Sequence, residues 1–294
     1  MKKDLVQRIV RQNFYLNNWY QNYQLHQKNG HSKGKILIYQ MGKVGSTSLY
    51  ESLKWAAPSY GVYHLHCLQS STIQKMLAHY KKIFKKGRNI DEHVIHSQYL
   101  RRQLNRGLEH QSEKWKVITL IRDPIARNLS SFFHELRYQP DILDAKTIDS
   151  STLKVLLEEY FQRYPDSHHP FDWFDLELKA VFNIDLFSAD FSPVDGYKIY
   201  TNDDIDLLVL KLEHLDACAQ HALHEFLGIE KILLRAANKG DRTQSGELYK
   251  KFKQRAILPT DYLNKIYQSP KVKHFYSPIE IDRFYRQWTH SADV

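Results

Sequence analysis

Residues 35–53 read KILIYQMGKVGSTSLYESL and decide which fold this chain of 294 residues adopts. The run KILIY at 35–39 is short, apolar and rich in β-branched side chains, which predicts a strand buried on both faces. The loop QMGKVG at 40–45 breaks this pattern with two glycines around a lysine. The hydroxyl residues at 46–48 then predict a capped helix start, so the order is strand, glycine loop, helix.

This order of elements suits the binding of a phosphate group. The N–H groups of such a loop and of the first helical turn converge on one point, where the helix dipole also favours negative charge. The loop is not a Walker A sequence, GxxxxGK[ST], because Ser46 follows Gly45 and the lysine, Lys43, lies inside the loop. This disfavours an ordinary ATPase. A glycine loop is also compatible with a tight turn that only joins strand to helix, so a second stretch must decide.

That second stretch is VITLIRDPIARNLSSFF at residues 117–133. Its first five residues predict another buried strand, and a helix should follow because Asp123 is a natural N-cap and Pro124 suits the first helical position. Arg122 therefore lies at the carboxyl end of a strand, where ligands bind in open α/β sheets. Ser130 lies about two helical turns further on. The guanidinium and the hydroxyl could close on one anion.

Together the two stretches resemble the signature of sulfotransferases that use 3'-phosphoadenosine 5'-phosphosulfate (PAPS) as co-substrate. The resemblance implies a P-loop NTPase-like three-layer α/β fold, with a central, mostly parallel sheet and helical C-terminal additions. It implies that Arg122 and Ser130 hold the 3'-phosphate and that no metal is required. The residues implied for the 5' end are Lys43, Gly45, Ser46, Thr47 and Ser48. Of these, Lys43 would also meet charge on the leaving phosphate.

The C-terminal half is similar to bacterial proteins of capsular polysaccharide synthesis. The matching stretches are FDWFDLELKAVFNIDLF at 171–187, GYKIY at 196–200, LKLEHL at 210–215, FLGI at 226–229, ANKG at 237–240, LYKKFK at 248–253 and HFYSPIEI at 274–281. This resemblance implies a carbohydrate or polysaccharide acceptor. The sugar and the position sulfated stay open.

Three histidines are candidates for the catalytic base, because a neutral imidazole can accept a proton at physiological pH. The stretch GVYHLHCL at 61–68 predicts a strand that carries His64 and His66 on one face. The stretch HVIHS at 93–97 predicts a short strand-like piece. In related carbohydrate sulfotransferases a histidine in a comparable place is the base, so His96 is preferred, then His66, then His64. Structural hydrogen bonding is the alternative role for the strand histidines.

Two further regions are candidates for substrate contact. Sulfotransferases often close a basic, glycine-containing loop over PAPS, so Lys239 and Arg242 in the loop NKGDR at 238–242 are candidate clamps; an exposed turn between helices is the alternative. An aromatic, acidic helix is predicted at 171–182. Its acids could bind acceptor hydroxyls, serve as an alternative base, or only complement the helix dipole. They are Asp172, Asp175 and Glu177.

The remaining pattern predicts elements outside these stretches. Residues 1–32 predict an N-terminal helical extension and 33–294 a single sulfotransferase domain. Residues 196–200 and 207–212 predict a hairpin or edge pair, and 215–227 predict a helix that Gly228 ends. Three helices are predicted over 248–288.

Composition narrows the class of protein. Two cysteines are too few for a disulfide framework or a cysteine-rich zinc site, which favours a reducing compartment. The sequence shows no signal-peptide core and no apolar run of about 20 residues that could cross a membrane. We therefore expect a cytoplasmic protein with no integral membrane span, either a bacterial-type enzyme or a shortened form of an anchored one. The net charge of +9 fits an acidic ligand, but no nucleic-acid motif accompanies it. The oligomeric state stays open.

The sequence thus predicts transfer of a sulfuryl group from PAPS to a carbohydrate hydroxyl, with adenosine 3',5'-bisphosphate as product. Two alternatives stay open. One is a P-loop kinase or NTPase, which would need magnesium and a Walker lysine. The other is a non-catalytic protein that binds anionic polysaccharide through the basic region at 75–106.

Overall fold

A computed structural model describes residues 12–30, 32–84, 89–107, 113–136, 149–166, 169–234 and 244–289. At its centre lies a five-stranded sheet in the order β2-β1-β3-β5-β4. The strands are β1 (Lys35–Tyr39), β2 (Gly61–Leu65), β3 (Trp115–Ile121), β4 (Tyr197–Thr201) and β5 (Ile205–Lys211). Strand β1 runs parallel to β2 and β3, β3 runs parallel to β5, and β4 pairs antiparallel with β5. The predicted mixed α/β fold with a mostly parallel sheet is confirmed.

Helices precede, connect and follow these strands. They are α1 (Phe14–Asn29), α2 (Ser46–Ala56), α3 (Ser70–Phe84), α4 (Glu92–Leu104), α5 (Pro124–Leu136), α6 (Ser150–Arg163), a π-helix (Phe174–Lys179) that continues as a turn (Ala180–Phe182), 3-10 turns (Leu186–Ser188 and Leu212–His214), α7 (Leu215–Leu227), α8 (Gln244–Arg255), α9 (Thr260–Tyr267), α10 (Pro270–Phe275) and α11 (Pro278–Thr289). In the described part of the chain no helix is both long and apolar enough to cross a membrane.

The two decisive stretches fold as strand, loop and helix, as predicted, but the predicted cap of the first helix is absent because its N-cap is Gly45, which has no side chain. In β1 every residue after the first is buried, and β3 and β5 are buried except at their second positions. Helix α2 begins at Ser46 and helix α5 at Pro124, where the side chain of Asp123 accepts the N–H of Ile125 at 2.9 Å. Gly228 ends α7 with φ of 70°. The predicted edge pair is present, with β4 at the edge and β5 inside.

Three local predictions were wrong. Residues 93–97 belong to helix α4 instead of a strand, because Val94 and Ile95 pack on one helix face into a small apolar cluster with Ile90. Strand β2 ends at Leu65, before His66. Residues 244–289 form four helices where three were predicted, because Pro278 occupies the first position of an additional helix.

The N-terminal helix α1 ends at Gly30, as predicted, and packs against α4. The side-chain amides of Asn18 and Gln98 donate to each other across this contact, both at 2.9 Å. The boundary between an extension and a domain at residue 32 stays a prediction.

A buried carboxylate joins the C-terminal half of the chain to the sheet. Glu177 lies in the π-helix, and its Oε2 accepts the hydroxyl of Tyr39 at 2.5 Å and the N–H groups of Leu68 and Gln69 at 2.8 and 3.0 Å. Tyr39 ends β1, and Leu68 precedes α3. One side chain therefore holds three segments that are distant in sequence, and burial together with Glu177 raises the pKa of Tyr39 well above its usual value.

We expect Glu177→Ala to lower the free energy of unfolding by about 3 kcal/mol or more, because it leaves two backbone donors and one hydroxyl buried without an acceptor. Urea denaturation measures the change. The matched control is Asp175→Ala in the same π-helix, which removes a half-exposed ion pair with Lys271 and should cost less than about 1 kcal/mol. Equal losses for the two variants would contradict a central role for Glu177.

Candidate functional site

The two decisive stretches meet at one edge of the sheet. Strands β1 and β3 are parallel neighbours, so the loops at their carboxyl ends lie side by side. Arg122 donates from Nη1 to the carbonyl oxygen of Lys43 at 2.9 Å, and Arg127 donates from Nε to the carbonyl oxygen of Gly42 at 2.9 Å. Two arginines after β3 thus hold two consecutive carbonyls of the loop after β1.

The loop adopts backbone conformations that few residues tolerate. Lys43 has φ of 73°, in the left-handed region that is uncommon outside glycine, and Gly45 has φ of 79°. A Cβ at position 45 would lie 2.6 Å from Cδ1 of Leu212, in the turn after β5. Position 45 therefore favours glycine for its φ angle, and any side chain there would also require Leu212 to shift. Strain of this kind at a non-glycine residue such as Lys43 is concentrated at functional sites.

The first turn of α2 faces this loop without a side-chain cap, since its N-cap is Gly45. Its first N–H groups lack intrahelical partners by geometry, and the dipole adds positive potential there. Ser46 is buried, and its Oγ accepts Nε2 of Gln40 at 2.8 Å and lies 2.9 Å from Nε2 of His64. Thr47, next in the chain, is exposed. This geometry suits an anion.

One face of α5 turns toward the loop. Arg127 and His134 are seven residues apart, on the same side of the helix, and Ser130 lies between them on that side. Nδ1 of His134 lies 3.2 Å from Nζ of Lys43. Ser130 is half-buried, flanked by two residues that touch the loop. Neither Arg127 nor His134 was among the predicted site residues, although their spacing from Ser130 was a signal that could have found them.

His64 and His66 lie beside the loop in a buried polar cluster. Nδ1 of His66 lies 3.0 Å from the carbonyl oxygen of Gln40 and 3.1 Å from its Nε2. Trp173, from the C-terminal half, donates Nε1 to the carbonyl oxygen of His66 at 2.9 Å. Burial is the main cause that lowers the pKa of His64 to about 4 and that of His66 to about 3, and the nearby His93 adds to both shifts. Both imidazoles are therefore neutral at physiological pH.

His96 lies on the other side of β2. Its Nδ1 is 3.0 Å from both the backbone nitrogen and the carbonyl oxygen of His64. Strand β2 is an edge strand of the described sheet, and α4 packs against it. Its Nε2 lies 3.6 Å from Glu92, and the side chain is buried. The structure thus links His96 to the backbone of β2 and links the His64 ring to Ser46 of the loop.

The acids of the predicted helix at 171–182 have ionic or buried partners. Asp172 and Asp175 accept Nζ of Lys271 at 2.9 and 2.6 Å, and Glu177 is enclosed as described above. Among the residues the structure covers, no group of three or more histidine, cysteine or acidic side chains could hold a metal ion. The candidate clamps Lys239 and Arg242 lie outside the described residues.

The C-terminal helices close over the Arg122 segment. Tyr267 donates to Oδ1 of Asp123 at 2.9 Å, and the N–H of Asp123 donates to Oε1 of Glu213 at 2.7 Å. Burial, and then the nearby Glu213, raises the pKa of Asp123 to about 6. Tyr249 of α8 lies beside Arg122, whose charge opposes the rise that burial causes in the tyrosine pKa. Arg122 is thus positioned from both sides.

The fold and site together define an α/β protein with a glycine loop at the carboxyl edge of its parallel strands. Over residues 144–277 the chain is similar to a family, NKWYS, described as "Putative capsular polysaccharide synthesis protein". The match covers somewhat less than half of the chain and supports a family related to capsular polysaccharide for this part. It includes Glu177 and Glu213 but neither of the two decisive stretches. No curated protein and no solved structure matched.

Gly45→Ala should destabilise the protein by about 1–2 kcal/mol, because alanine in the left-handed region is strained even if Leu212 shifts. Thermal unfolding measures the change. Gly42→Ala in the same loop is the matched control, since a Cβ at position 42 meets nothing within 4 Å, and its melting temperature should stay near that of the wild type. A larger loss for Gly42→Ala would contradict the loop geometry described here.

Proposed function

We propose that this protein is a PAPS-dependent sulfotransferase with a P-loop NTPase-like fold, and that it transfers a sulfuryl group to a hydroxyl of a carbohydrate or polysaccharide. The observation that carries the proposal is the contact between Arg122 and the Lys43 carbonyl. It joins the two stretches that resemble the 3' and 5' nucleotide sites of this class. A doubly phosphorylated nucleotide needs two anion sites that lie next to each other.

The position of this contact in the sheet supports a nucleotide site. The chain goes from β1 to β2 on one side and from β3 toward β5 on the other, so the strand order reverses between β1 and β3. Ligands of open α/β sheets bind in the crevice beyond the carboxyl ends of the strands at such a point. The loop and Arg122 both lie there.

The residues present fit the two ends of the nucleotide. The start of α2 offers uncapped N–H groups and the hydroxyls of Ser46, Thr47 and Ser48 to the 5'-phosphosulfate. Arg122 uses one of its five donors on the loop and retains others for the 3'-phosphate, with Ser130 on the helix face that turns the same way. The chemical character of these donors suits two anionic groups.

The transfer needs three tasks from the protein. The acceptor oxygen bonds to sulfur as the bond from sulfur to the phosphate oxygen breaks, and the acceptor proton passes to a base. Lys43 meets the charge that develops on the leaving phosphate. The loop N–H groups stabilise the remaining negative charge of the phosphosulfate in the transition state. Each preorganised donor of this kind contributes about 3 kcal/mol to transition-state stabilisation. A histidine base adds roughly 10²- to 10⁴-fold.

The geometry supports His64 over His96 as that base. The His64 ring is neutral, and its Nε2 is 2.9 Å from Ser46 of the loop. If the hydroxyl of Ser46 binds the phosphosulfate instead, Nε2 of His64 loses this partner and can accept the proton of the acceptor. His96 has one ring nitrogen on the backbone of β2 and the other toward Glu92. His66 is the second candidate, since it shares Gln40 with His64.

The similarity of residues 144–277 to a capsular polysaccharide synthesis family supports a polysaccharide acceptor. The matched segment contributes Leu212, which packs on Gly45, and Trp173, which binds the backbone of His66. Because the matched segment contacts both the loop and His66, we infer that it selects which acceptor reaches the reacting centre.

We expect adenosine 3',5'-bisphosphate to bind the protein and raise its melting temperature. ATP and AMP at equal concentration should have little effect, because neither carries a 3'-phosphate together with its 5'-phosphate groups. Calorimetry should show a loss of about 30-fold or more in affinity for Arg122→Ala, which removes a paired charge. Arg286→Ala, on the surface of α11, is the matched arginine control and should bind as the wild type does.

Two results would contradict the proposed donor. Magnesium-dependent hydrolysis of ATP would indicate a kinase or NTPase. Equal binding of the bisphosphate by wild type and a correctly folded Arg122→Ala variant would remove Arg122 from the nucleotide site.

For the base, His64→Asn should lower transfer of radiolabelled sulfate from PAPS to a panel of polysaccharides by roughly 10²- to 10⁴-fold, with bisphosphate affinity retained. His96→Asn should chiefly lower thermal stability, because it removes the imidazole that contacts the backbone nitrogen and carbonyl oxygen of His64 in β2. The folded fraction of His96→Asn should keep most of its turnover. The reverse pattern would assign the base to His96.

A further inference from the structure

The N-terminal helix α1 shows an inverted distribution of polar and aromatic side chains. Its buried residues are Asn17 and Asn22. Its exposed residues include Tyr15, Trp19 and Tyr23, with 62%, 63% and 47% of their surface accessible. A helix that packs on a protein normally does the opposite, and an exposed patch of large side chains marks an interaction surface.

Polar contacts with α4 hold this helix in its inverted orientation. Beside the reciprocal Asn18–Gln98 pair, Arg102 of α4 donates to Oδ1 of Asn22. Within α1, the Asn22 amide also donates to the carbonyl oxygen of Asn18 at 2.8 Å, which fixes its orientation. These directional contacts, together with Phe14 and Leu25, which pack partly buried against neighbouring apolar residues, favour one rotation of the helix about its axis. The outward position of the aromatic side chains is therefore a specified feature of the packing.

The exposed rings form a ladder along the helix. Tyr15, Trp19 and Tyr23 recur every four residues, so neighbouring rungs are about 6 Å apart along the helix axis. The rings of Trp19 and Tyr23 stack with centroids 5.6 Å apart and planes 12° apart. We define these three residues as the aromatic ladder.

Cations accompany the ladder on the adjacent helices. Nζ of Lys81 lies 4.9 Å from the centroid of the Tyr15 ring. Arg102 in the last turn of α4 and Arg106 just after the helix line a pocket of about 190 Å³ together with Trp19 and Tyr23. The surface thus presents flat apolar rings next to positive charge.

We propose that the aromatic ladder and its cations bind an acidic polysaccharide chain, at a site separate from the glycine loop. Ring faces of tyrosine and tryptophan offer apolar area with polar tips, which matches sugar rings with apolar faces and hydroxyl edges. Lysine and arginine complement carboxylate or sulfate groups on the chain. Binding here does not depend on the proposed sulfuryl transfer, although a held polymer would raise the local concentration of acceptor.

Two other partners are less well matched. A membrane-binding helix carries many aliphatic side chains on its apolar face, whereas Leu16 is the one aliphatic residue among those exposed on the described length of α1. Single-stranded nucleic acid also stacks on aromatic rings, but the charge on this chain is not accompanied by a nucleic-acid motif. The similarity of residues 144–277, elsewhere in the chain, to a capsular polysaccharide synthesis family is consistent with the polysaccharide.

The test measures binding of hyaluronan, a carboxylate polymer, to the full chain by calorimetry at a series of salt concentrations, with neutral dextran in parallel. We expect hyaluronan to bind and dextran to bind far more weakly. Trp19→Ala and Tyr23→Ala should each weaken hyaluronan binding by about tenfold, and Arg106→Ala should weaken it and reduce its salt dependence. Trp55→Ala is the matched control, since Trp55 is a 71% exposed tryptophan on α2, and it should bind as the wild type does.

Several results would overturn the proposal. They are equal affinity for dextran, equal losses for Trp55→Ala and Trp19→Ala, binding to phosphatidylglycerol vesicles or to single-stranded oligonucleotide but not to hyaluronan, and self-association in light scattering that Trp19→Ala abolishes. Circular dichroism of each variant checks that it is folded. Retained binding of adenosine 3',5'-bisphosphate by Trp19→Ala would show that loss of polymer binding is independent of the nucleotide site.

Discussion

The buried carboxylate of Glu177 is the interaction on which the arrangement of this protein depends. A carboxylate is costly to bury unless donors surround it, and here a tyrosine hydroxyl and two backbone N–H groups do so. The donors come from the end of β1 and the segment after β2, immediately before and beside the glycine loop. The polar contact therefore fixes where the C-terminal half lies relative to the loop.

The C-terminal half then completes the site from several directions. Leu212 occupies the space that a side chain at position 45 would need, and Glu213 accepts the N–H of Asp123. The hydroxyl of Tyr276 donates to the other oxygen of Glu213 at 3.0 Å, and Lys211 forms a buried pair with Glu280 at 2.6 Å. The stretches at 210–215 and 274–281, which were similar to the same relatives, thus contact each other beneath the Arg122 segment.

The interior strands and the starts of α2 and α5 could be predicted because they depend on local features. An apolar run of five residues, a glycine that can adopt positive φ, and Asp-Pro at a helix start each act within a few residues. The strand prediction for residues 93–97 was wrong because a short apolar run with β-branched residues fits a strand and a buried helix face equally well. His96 consequently lies at the outer edge of β2, whereas His64, the lowest-ranked candidate, contacts Ser46.

The sequence by itself determined the strand, loop and helix order of the two decisive stretches, the glycine loop, and the position of Arg122 at the end of a strand. These follow from backbone sterics and hydrophobic period, which operate over short separations. Only the tertiary structure decided that Arg127 and His134 reach the loop, that Glu177 binds the end of β1 and the segment after β2, and that α1 turns its aromatic side chains outward. Those outcomes depend on which distant segments supply donors and acceptors to one another. Spacing along the chain places Arg127 and His134 on one helix face with Ser130, but it does not show which segment that face contacts.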